Sequence, residues 1–236
     1  MATSKYLDFL SKFGVGGAHP GGLKLTKQIL LSEKINNSST VFDVGCGTGQ
    51  TAAYLSSQFG AKVIGMDINP VMVKKAKKRI AGHKLPVEII VGSIEDCPLR
   101  DETFDFIISE SVLAFVNKPK ALHEIFRLLK DGGRFIANEL TINSDLSLAN
   151  REEIKQFYGL DSVLMEQDWV SLLKQSGFSN IKMRKEKPSL LKNNAAQEFH
   201  YSTYIEPELF SVMNQHHYIL AKYQGIIDYR IFTCSK

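Results

Sequence analysis

Apolar and polar positions follow one another along this chain in two rhythms. Thr40 to Val44, Lys62 to Met66, Val87 to Val91, Phe104 to Ser109 and Arg134 to Glu139 are short runs, β-branched or aromatic and bounded by turn residues. That is the pattern of strands buried on both faces. The segments between them carry a helical period. Lys120 to Lys130 sets Leu122, Ile125, Phe126 and Leu129 at i, i+3, i+4 and i+7 before Asp131-Gly132-Gly133, which predicts an amphipathic helix stopped by a glycine turn. Strand and helix in alternation predict a parallel sheet with helical crossovers. Further on, Trp169, Leu172 and Leu173 mark a helix ended by Gly177. A strand near Asn180 to Lys185, a helix from about Pro207 to Tyr223 and a strand near Asp228 to Cys234 complete the pattern.

Two stretches differ in texture. Gly14 to Gly22 holds five glycines in nine residues and joins an N-terminal amphipathic helix, apolar at Tyr6, Leu7, Phe9, Leu10 and Phe13, to a helix from about Leu23 to Lys34. Lys187 to Glu208 is polar, with Pro188 and Pro207 near its ends, and reads as an insertion or lid. At 236 residues, 44% hydrophobic and 23% charged, a single globular α/β domain is the expectation. Lys5, Asp8 and Lys12 interrupt the apolar stretches of the N-terminus, and no run approaches the roughly 18 apolar residues of a membrane span, so a cytoplasmic protein without membrane contact is expected. Cys46, Cys97 and Cys234 form no CxxC pair, so neither a disulfide framework nor a metal site is expected. The net charge of +4 is mild for a nucleic-acid binder. Lys74, Lys75, Lys77, Lys78 and Arg79 surround Val73, Ala76 and Ile80 as a solvated helix face does.

The chemistry concentrates at VFDVGCGTGQ, Val41 to Gln50, where an apolar strand runs into a glycine-rich turn that opens a helix. Gly45 and Gly47 let backbone approach a ligand and aim amide donors at it, at the sheet edge where open α/β folds bind nucleotides. Two features separate this turn from a dinucleotide site. Position 50, where that fingerprint has its third small residue, is Gln, and Asp43 puts an anion beside the turn. A carboxylate there suits a ligand bearing an ammonium group better than a pyrophosphate. Asp67 ends the second strand 20 residues after Gly47. It either accepts from both hydroxyls of a ribose, with Ile68 covering the base, or begins the next helix as its cap.

These residues, DVGCGTG followed by MDINP, VGSIEDCPLRDETFDFIISESVLAFV and LLKDGGRF, resemble in order the motifs of class I S-adenosylmethionine-dependent methyltransferases. They resemble especially the small-molecule group related to the ubiquinone and menaquinone C-methyltransferases. The resemblance spans about residues 22 to 185. It implies a Rossmann-like seven-stranded sheet with helices on both faces and lid insertions, its last strand inserted antiparallel. It implies S-adenosylmethionine as cofactor and S-adenosylhomocysteine as product. By the same resemblance Asp43, Gly45 and Gly47 hold the methionine moiety, Asp67 the ribose and Ile68 the adenine. The family's adenine-binding Asp corresponds to Ser93, followed by Ile94, with Glu95 or Asp96 as substitutes nearby, and Glu110 and Ser111 line the transfer site. HPGGLKLTKQIL is similar to the stretch ahead of the first helix in phosphoethanolamine methyltransferases. The Asp and His which that group carries after the fourth strand correspond here to Ser111 and Phe115.

The implied division is a lid at 1–22, a cofactor core at 23–140 and acceptor-side insertions at 141–165 and 188–224. Methyl transfer from a sulfonium needs alignment, exclusion of water and, for a protonated nucleophile, a base. His19 is the candidate base, or else a structural loop residue. Glu110 binds a cationic group or caps the next helix. His216 and His217 lie on a helix apolar along Phe210, Met213 and Leu220 and along Leu209, Val212 and Ile219, and as adjacent residues they do not share a metal. Tyr6, Phe9 and Phe13 are core packing or an aromatic cage for a cation. The expected acceptor is a small molecule and the expected assembly a monomer or homodimer. An RNA or protein methyltransferase of this fold and a silent cofactor-binding protein are the alternatives.

Overall fold

The computed structural model describes residues 4–185 and 198–236. Seven strands, β1 (Thr40–Val44), β2 (Lys62–Asp67), β3 (Val87–Val91), β4 (Phe104–Glu110), β5 (Leu129–Ile142), β6 (Ser179–Arg184) and β7 (Ile227–Ser235), form one sheet in the order β3-β2-β1-β4-β5-β7-β6. The first five pair in parallel, and β7 runs antiparallel to both β5 and β6. Eight α-helices are seen among the described residues: α1 (Lys5–Phe13), α2 (Gly22–Leu31), α3 (Gln50–Phe59), α4 (Pro70–His83), α5 (Lys118–Leu128), α6 (Leu148–Tyr158), α7 (Glu166–Gln175) and α8 (Phe210–Lys222).

Because side chains alternate along a strand, each strand feeds two cores. Phe42, Val44, Ile107 and Phe135 meet Leu122 and Ile125 of α5 and Trp169 and Leu173 of α7. Val41, Val63, Ile108 and Ile136 meet Leu25 and Ile29 of α2, Leu55 of α3, and Val73, Ala76 and Ile80 of α4. Helices therefore cover both faces. A third apolar region lies at the carboxyl edge of the parallel strands, where Tyr158 of α6, Ile219 of α8 and Ala114 pack around Ile142, with Tyr6 of α1 against them.

Helix α5 ends at Leu128, and β5 begins at Leu129, earlier than the expected Arg134. Asp131-Gly132-Gly133 does not close a helix. It sits in a bulge, since Phe104 pairs with Leu129 and Phe106 with Arg134, so Lys130 to Gly133 stand opposite Asp105. Gly132 supplies the left-handed φ of +73° and Lys130 Nζ bonds Asp105 Oδ1 at 2.8 Å. The expected insertion at 141–165 begins inside β5, which runs through Ile142. Of the expected segment 188–224, residues 188–197 lie outside the described residues.

The reading of α4 as a solvated face holds for Lys74, Lys77 and Lys78, which are exposed, but not for Lys75 and Arg79. Lys75 Nζ donates to the carbonyls of Lys12 and His200. Arg79 donates to the Thr48 carbonyl at 2.8 Å and pairs with Glu198 at 2.8 Å. Gly16 N donates to Glu198 O and His200 N to Gly14 O. The glycine-rich segment and residues 198–202 are thus strapped together over the start of α3, where Gln50 Nε2 also bonds Glu198.

Candidate cofactor-binding site

The turn after β1 is shaped by what its glycines avoid. At Gly45 (φ +65°) a Cβ would fall inside the Cγ2 of Val112, whereas at Gly47 (φ +52°) nothing lies within 4 Å. The first glycine lets two chain segments touch, and the second leaves an open face. Beneath the turn Asp43 is 2% exposed and its Oδ2 has no hydrogen-bond partner among the described residues. Burial raises its carboxyl well above the ordinary range, the nearby Glu110 and Asp67 carboxylates add to this, and the Ala52 amide opposes it. A cationic group reaching Asp43 would relieve both the burial cost and the missing partner. Such donor chemistry fits the amino-acid end of S-adenosylmethionine.

Asp67 reaches back to this turn. Its Oδ2 accepts from Gly47 N and its Oδ1 from Asn69 N, both at 2.8 Å. Each carboxylate oxygen keeps a second lone pair for a ligand hydroxyl. Burial raises this carboxyl too, against the two amide bonds. The capping alternative falls, because the N-cap of α4 is Asn69, which accepts from Val71 N and Met72 N. Ile68 is 71% exposed beside it.

Ser93 Oγ accepts from Glu95 N at 3.1 Å in a local turn, and the Ile94 side chain is buried in the core. Of the two substitutes, Glu95 is engaged elsewhere, accepting from Asn117 N at 2.9 Å ahead of α5, while Asp96 is exposed.

Glu110 caps no helix. Its two oxygens accept from Thr26 Oγ1 of α2 at 2.6 Å and Thr51 Oγ1 of α3 at 2.8 Å. His19, its side chain 7% exposed, brings Nε2 to 3.5 Å from Glu110, while its Nδ1 lies 3.5 Å from the Asn138 amide. Asn138 also donates to the Pro20 carbonyl at 2.9 Å. The sequence gives no signal for this clamp, since Asn138 lies in the middle of an apolar strand. Ser111 follows Glu110 in the left-handed region, φ +58°, where a non-glycine residue at a sheet edge marks a constrained site.

Above this edge, Phe9 and Phe13 are packed with Val15, Leu209 and Val212, while Tyr6 stands edge-on to Tyr158 (4.8 Å between rings) and 5.5 Å from His216. His216 Nδ1 is 3.0 Å from the Tyr158 hydroxyl, and burial lowers its pKa. His217 is exposed. Only one of the two apolar faces expected on this helix is a core face, because Phe210 and Leu220 are 59% and 41% exposed. Among the described residues no three His, Cys, Asp or Glu side chains converge as a metal site, and no helix is long and apolar enough to cross a membrane.

A seven-stranded sheet with its last strand antiparallel, and a glycine turn flanked by Asp43 and Asp67, define a class I S-adenosylmethionine-dependent methyltransferase. The methyltransferase domain family matches residues 42–137. An uncharacterized methyltransferase of Bacillus subtilis, YodH, is 34% identical over 233 residues, covering 99% of this chain and 100% of its own. The chain belongs to this methyltransferase family and uses S-adenosylmethionine. Phosphoethanolamine N-methyltransferase 1 of Arabidopsis thaliana is 30% identical over 182 residues, 76% of this chain but 36% of that one. The solved phosphoethanolamine methyltransferase 2 of Haemonchus contortus, bound to phosphomonomethylethanolamine and S-adenosylhomocysteine, superposes with a TM-score of 0.78 at 18% identity. That match covers 100% of this chain and 61% of the solved one.

Proposed function

We propose that the enzyme methylates a small-molecule acceptor enclosed between the sheet edge and a roof made by its own chain. The observation that carries this reading is the enclosure itself. The strap of residues 12–17 and 198–202 and the cluster of α1, α6 and α8 cover the edge, and His19 within the glycine-rich segment is almost wholly buried. Such a roof suits an acceptor that enters whole. It opposes a polymer lying across an open groove. In this reading residues 1–22 act as lid, 23–140 hold the cofactor, and 141–165 with 188–224 shape the acceptor side.

The bound cofactor supplies an electrophilic methyl group whose displacement leaves a neutral thioether. The chain's contribution is to bind, align and keep out water. Asp43, with Gly45 and Gly47, takes the methionine end. Asp67 takes the ribose, Ile68 covers the adenine, and Ser93 with the Ile94 amide meets its edge. Glu110 and Ser111 border the transfer point. Both nitrogens of His19 face protein groups, which supports a lid clamp over a free base.

Calorimetric titration with S-adenosylmethionine, S-adenosylhomocysteine and NAD tests the cofactor reading, and an acceptor screen by S-adenosylhomocysteine release tests the rest. Binding of the first two near −8 kcal/mol, corresponding to about micromolar affinity, with turnover of at least one small acceptor is the expected result. Turnover of RNA or protein alone would overturn the acceptor class, and binding without any turnover would leave a silent binding protein. For His19→Ala, a clamp predicts loss of cofactor affinity together with turnover, whereas a base predicts loss of turnover alone.

A further inference from the structure

Glu139, near the carboxyl end of β5, is completely enclosed at 0% exposure. Its neighbour Asn138 turns toward His19 and Pro20, so alternation sends Glu139 to the other face of the sheet. There one oxygen, Oε1, accepts from Ser109 Oγ at 2.8 Å and from the amides of Val112 and Leu113, each at 3.1 Å. Oε2 has no partner among the described residues. These donors bracket the turn that leaves β4. Between them Ser111 holds its left-handed φ and donates its own amide to Asn138 O at 2.8 Å. The Val112 side chain is the group that forbids a Cβ at Gly45.

We infer that Glu139 is a positioning residue: its carboxylate gathers the Val112 and Leu113 amides and so holds Ser111 and Val112 against the glycine turn in the arrangement that admits the cofactor. The inference rests on the assignment of the cofactor to that turn. Donors converging on one oxygen favour an anion, because charge-assisted bonds are shorter and stronger than neutral ones. The charged groups around it are accounted for. Lys118, at the start of α5 and 2% exposed, feels the Glu139 charge and bonds Asp161 at 3.1 Å. Arg230, opposite in register on β7, is taken by Glu166 and Asp228. Burial lifts the Glu139 carboxyl to about 7, against its hydrogen bonds to Ser109 and the turn amides. Its ionised and neutral forms therefore coexist near neutrality.

The probe is S-adenosylhomocysteine, titrated into the full chain at about pH 6 and about pH 8, on either side of that value. The natural chain is expected to bind several-fold more tightly at the higher pH. In Glu139→Gln, which keeps an accepting oxygen but cannot ionise, that difference disappears. Glu139→Leu should weaken binding about tenfold or more at both pH values, a change of about 1.4 kcal/mol or more, while melting cooperatively. Unchanged affinity in a folded Glu139→Leu would overturn the inference. So would a Glu139→Gln chain that keeps the natural pH profile, which would assign the titration to the raised carboxyls of Asp43 and Asp67 or to His216. Should the Leu variant not fold, the Gln profile decides alone. No binding by the natural chain at either pH would remove the cofactor assignment itself, an outcome distinct from failure confined to the variants.

Discussion

The turn at the carboxyl end of β1 and the aromatic roof above it border one proposed site but are assembled differently. In the turn, a backbone amide and a carboxylate meet across 20 positions, Gly47 to Asp67, and β1 and β2 pair directly to bring them together. In the roof, Tyr158 meets His216 across 58 positions and Ser4 meets Tyr158 across 154. The turn's contacts are polar, directional and fixed by backbone conformation. The roof's are mostly ring against ring, and rings can repack. The comparison teaches where precision is needed: the proposed cofactor end is built from groups that cannot shift, and the proposed acceptor end from groups that can.

The largest effect that would break this contrast is at Gly45. Gly45→Ala places a methyl into Val112 at a left-handed φ. It should cost about 3 kcal/mol of stability, combining overpacking and backbone strain, and abolish S-adenosylhomocysteine binding. Gly47→Ala meets no neighbour, so it should cost only about 1 kcal/mol while still blocking the ligand face. Thermal melts and calorimetry of the pair separate the two. Equal stability losses would mean that Val112 gives way and the turn is less rigid than argued.

Glu139 tests whether rigidity below the turn has a stability cost. Its carboxyl titrates at about 7 in the folded chain against an ordinary 4.5. The folded state thus holds the proton more tightly. The group's contribution to stability is full below about 4.5 and is lost as pH rises to about 7. Glu139→Gln lacks this loss. Relative to the natural chain, its stability should therefore rise across that window by up to about 1.4 kcal/mol per pH unit, reaching about 3 kcal/mol, then level off. Denaturant unfolding at a series of pH values measures it. A flat difference would mean that the carboxyl ionises in the folded chain as it does in the unfolded one, and that burial does not raise it.

The same contrast explains what the sequence discloses. Six of the seven strands could be read near their observed limits, because β-branched runs between turns report burial locally, and the glycine turn could be read because its φ values restrict the residues allowed. Asn69-Pro70 likewise carries its cap in two adjacent letters. The bulge at Gly132 was not legible, since Asp-Gly-Gly after a helical pattern looks the same whether it ends a helix or interrupts a strand. Nor were Glu139 and Asn138, whose partners on β4 and in the lid lie about 25 to 120 positions away. Lys75 and Arg79 looked like their exposed neighbours because a tie to a distant carbonyl leaves no trace in helical periodicity.

On the cofactor side, Asp67→Ala removes an acceptor shared by Gly47 N, Asn69 N and the proposed ribose. Affinity for S-adenosylhomocysteine should fall by about 2 kcal/mol, the scale of losing a buried hydrogen-bonded carboxylate. Calorimetry reads it directly. An unchanged affinity would remove Asp67 from the ribose and leave it as a brace for the glycine turn.

The smallest effect belongs to the roof. Tyr158→Phe deletes the hydroxyl beside His216 Nδ1 but keeps the ring that stands against Tyr6, so stability should drop by only about 1 kcal/mol, with S-adenosylhomocysteine affinity unmoved. His216 adds a pH signature. Burial and the neighbouring His217 hold its pKa below the ordinary 6.5, so the unfolded chain takes up the proton first. Its contribution to stability is present above about 6.5 and is lost as pH falls toward the lower folded value. The slope is opposite to that of Glu139, and His216→Asn should remove it. If Tyr158→Phe instead weakened cofactor binding as much as Asp67→Ala, the roof would share the rigidity of the turn, and the division between a fixed cofactor end and an adaptable acceptor end would fail.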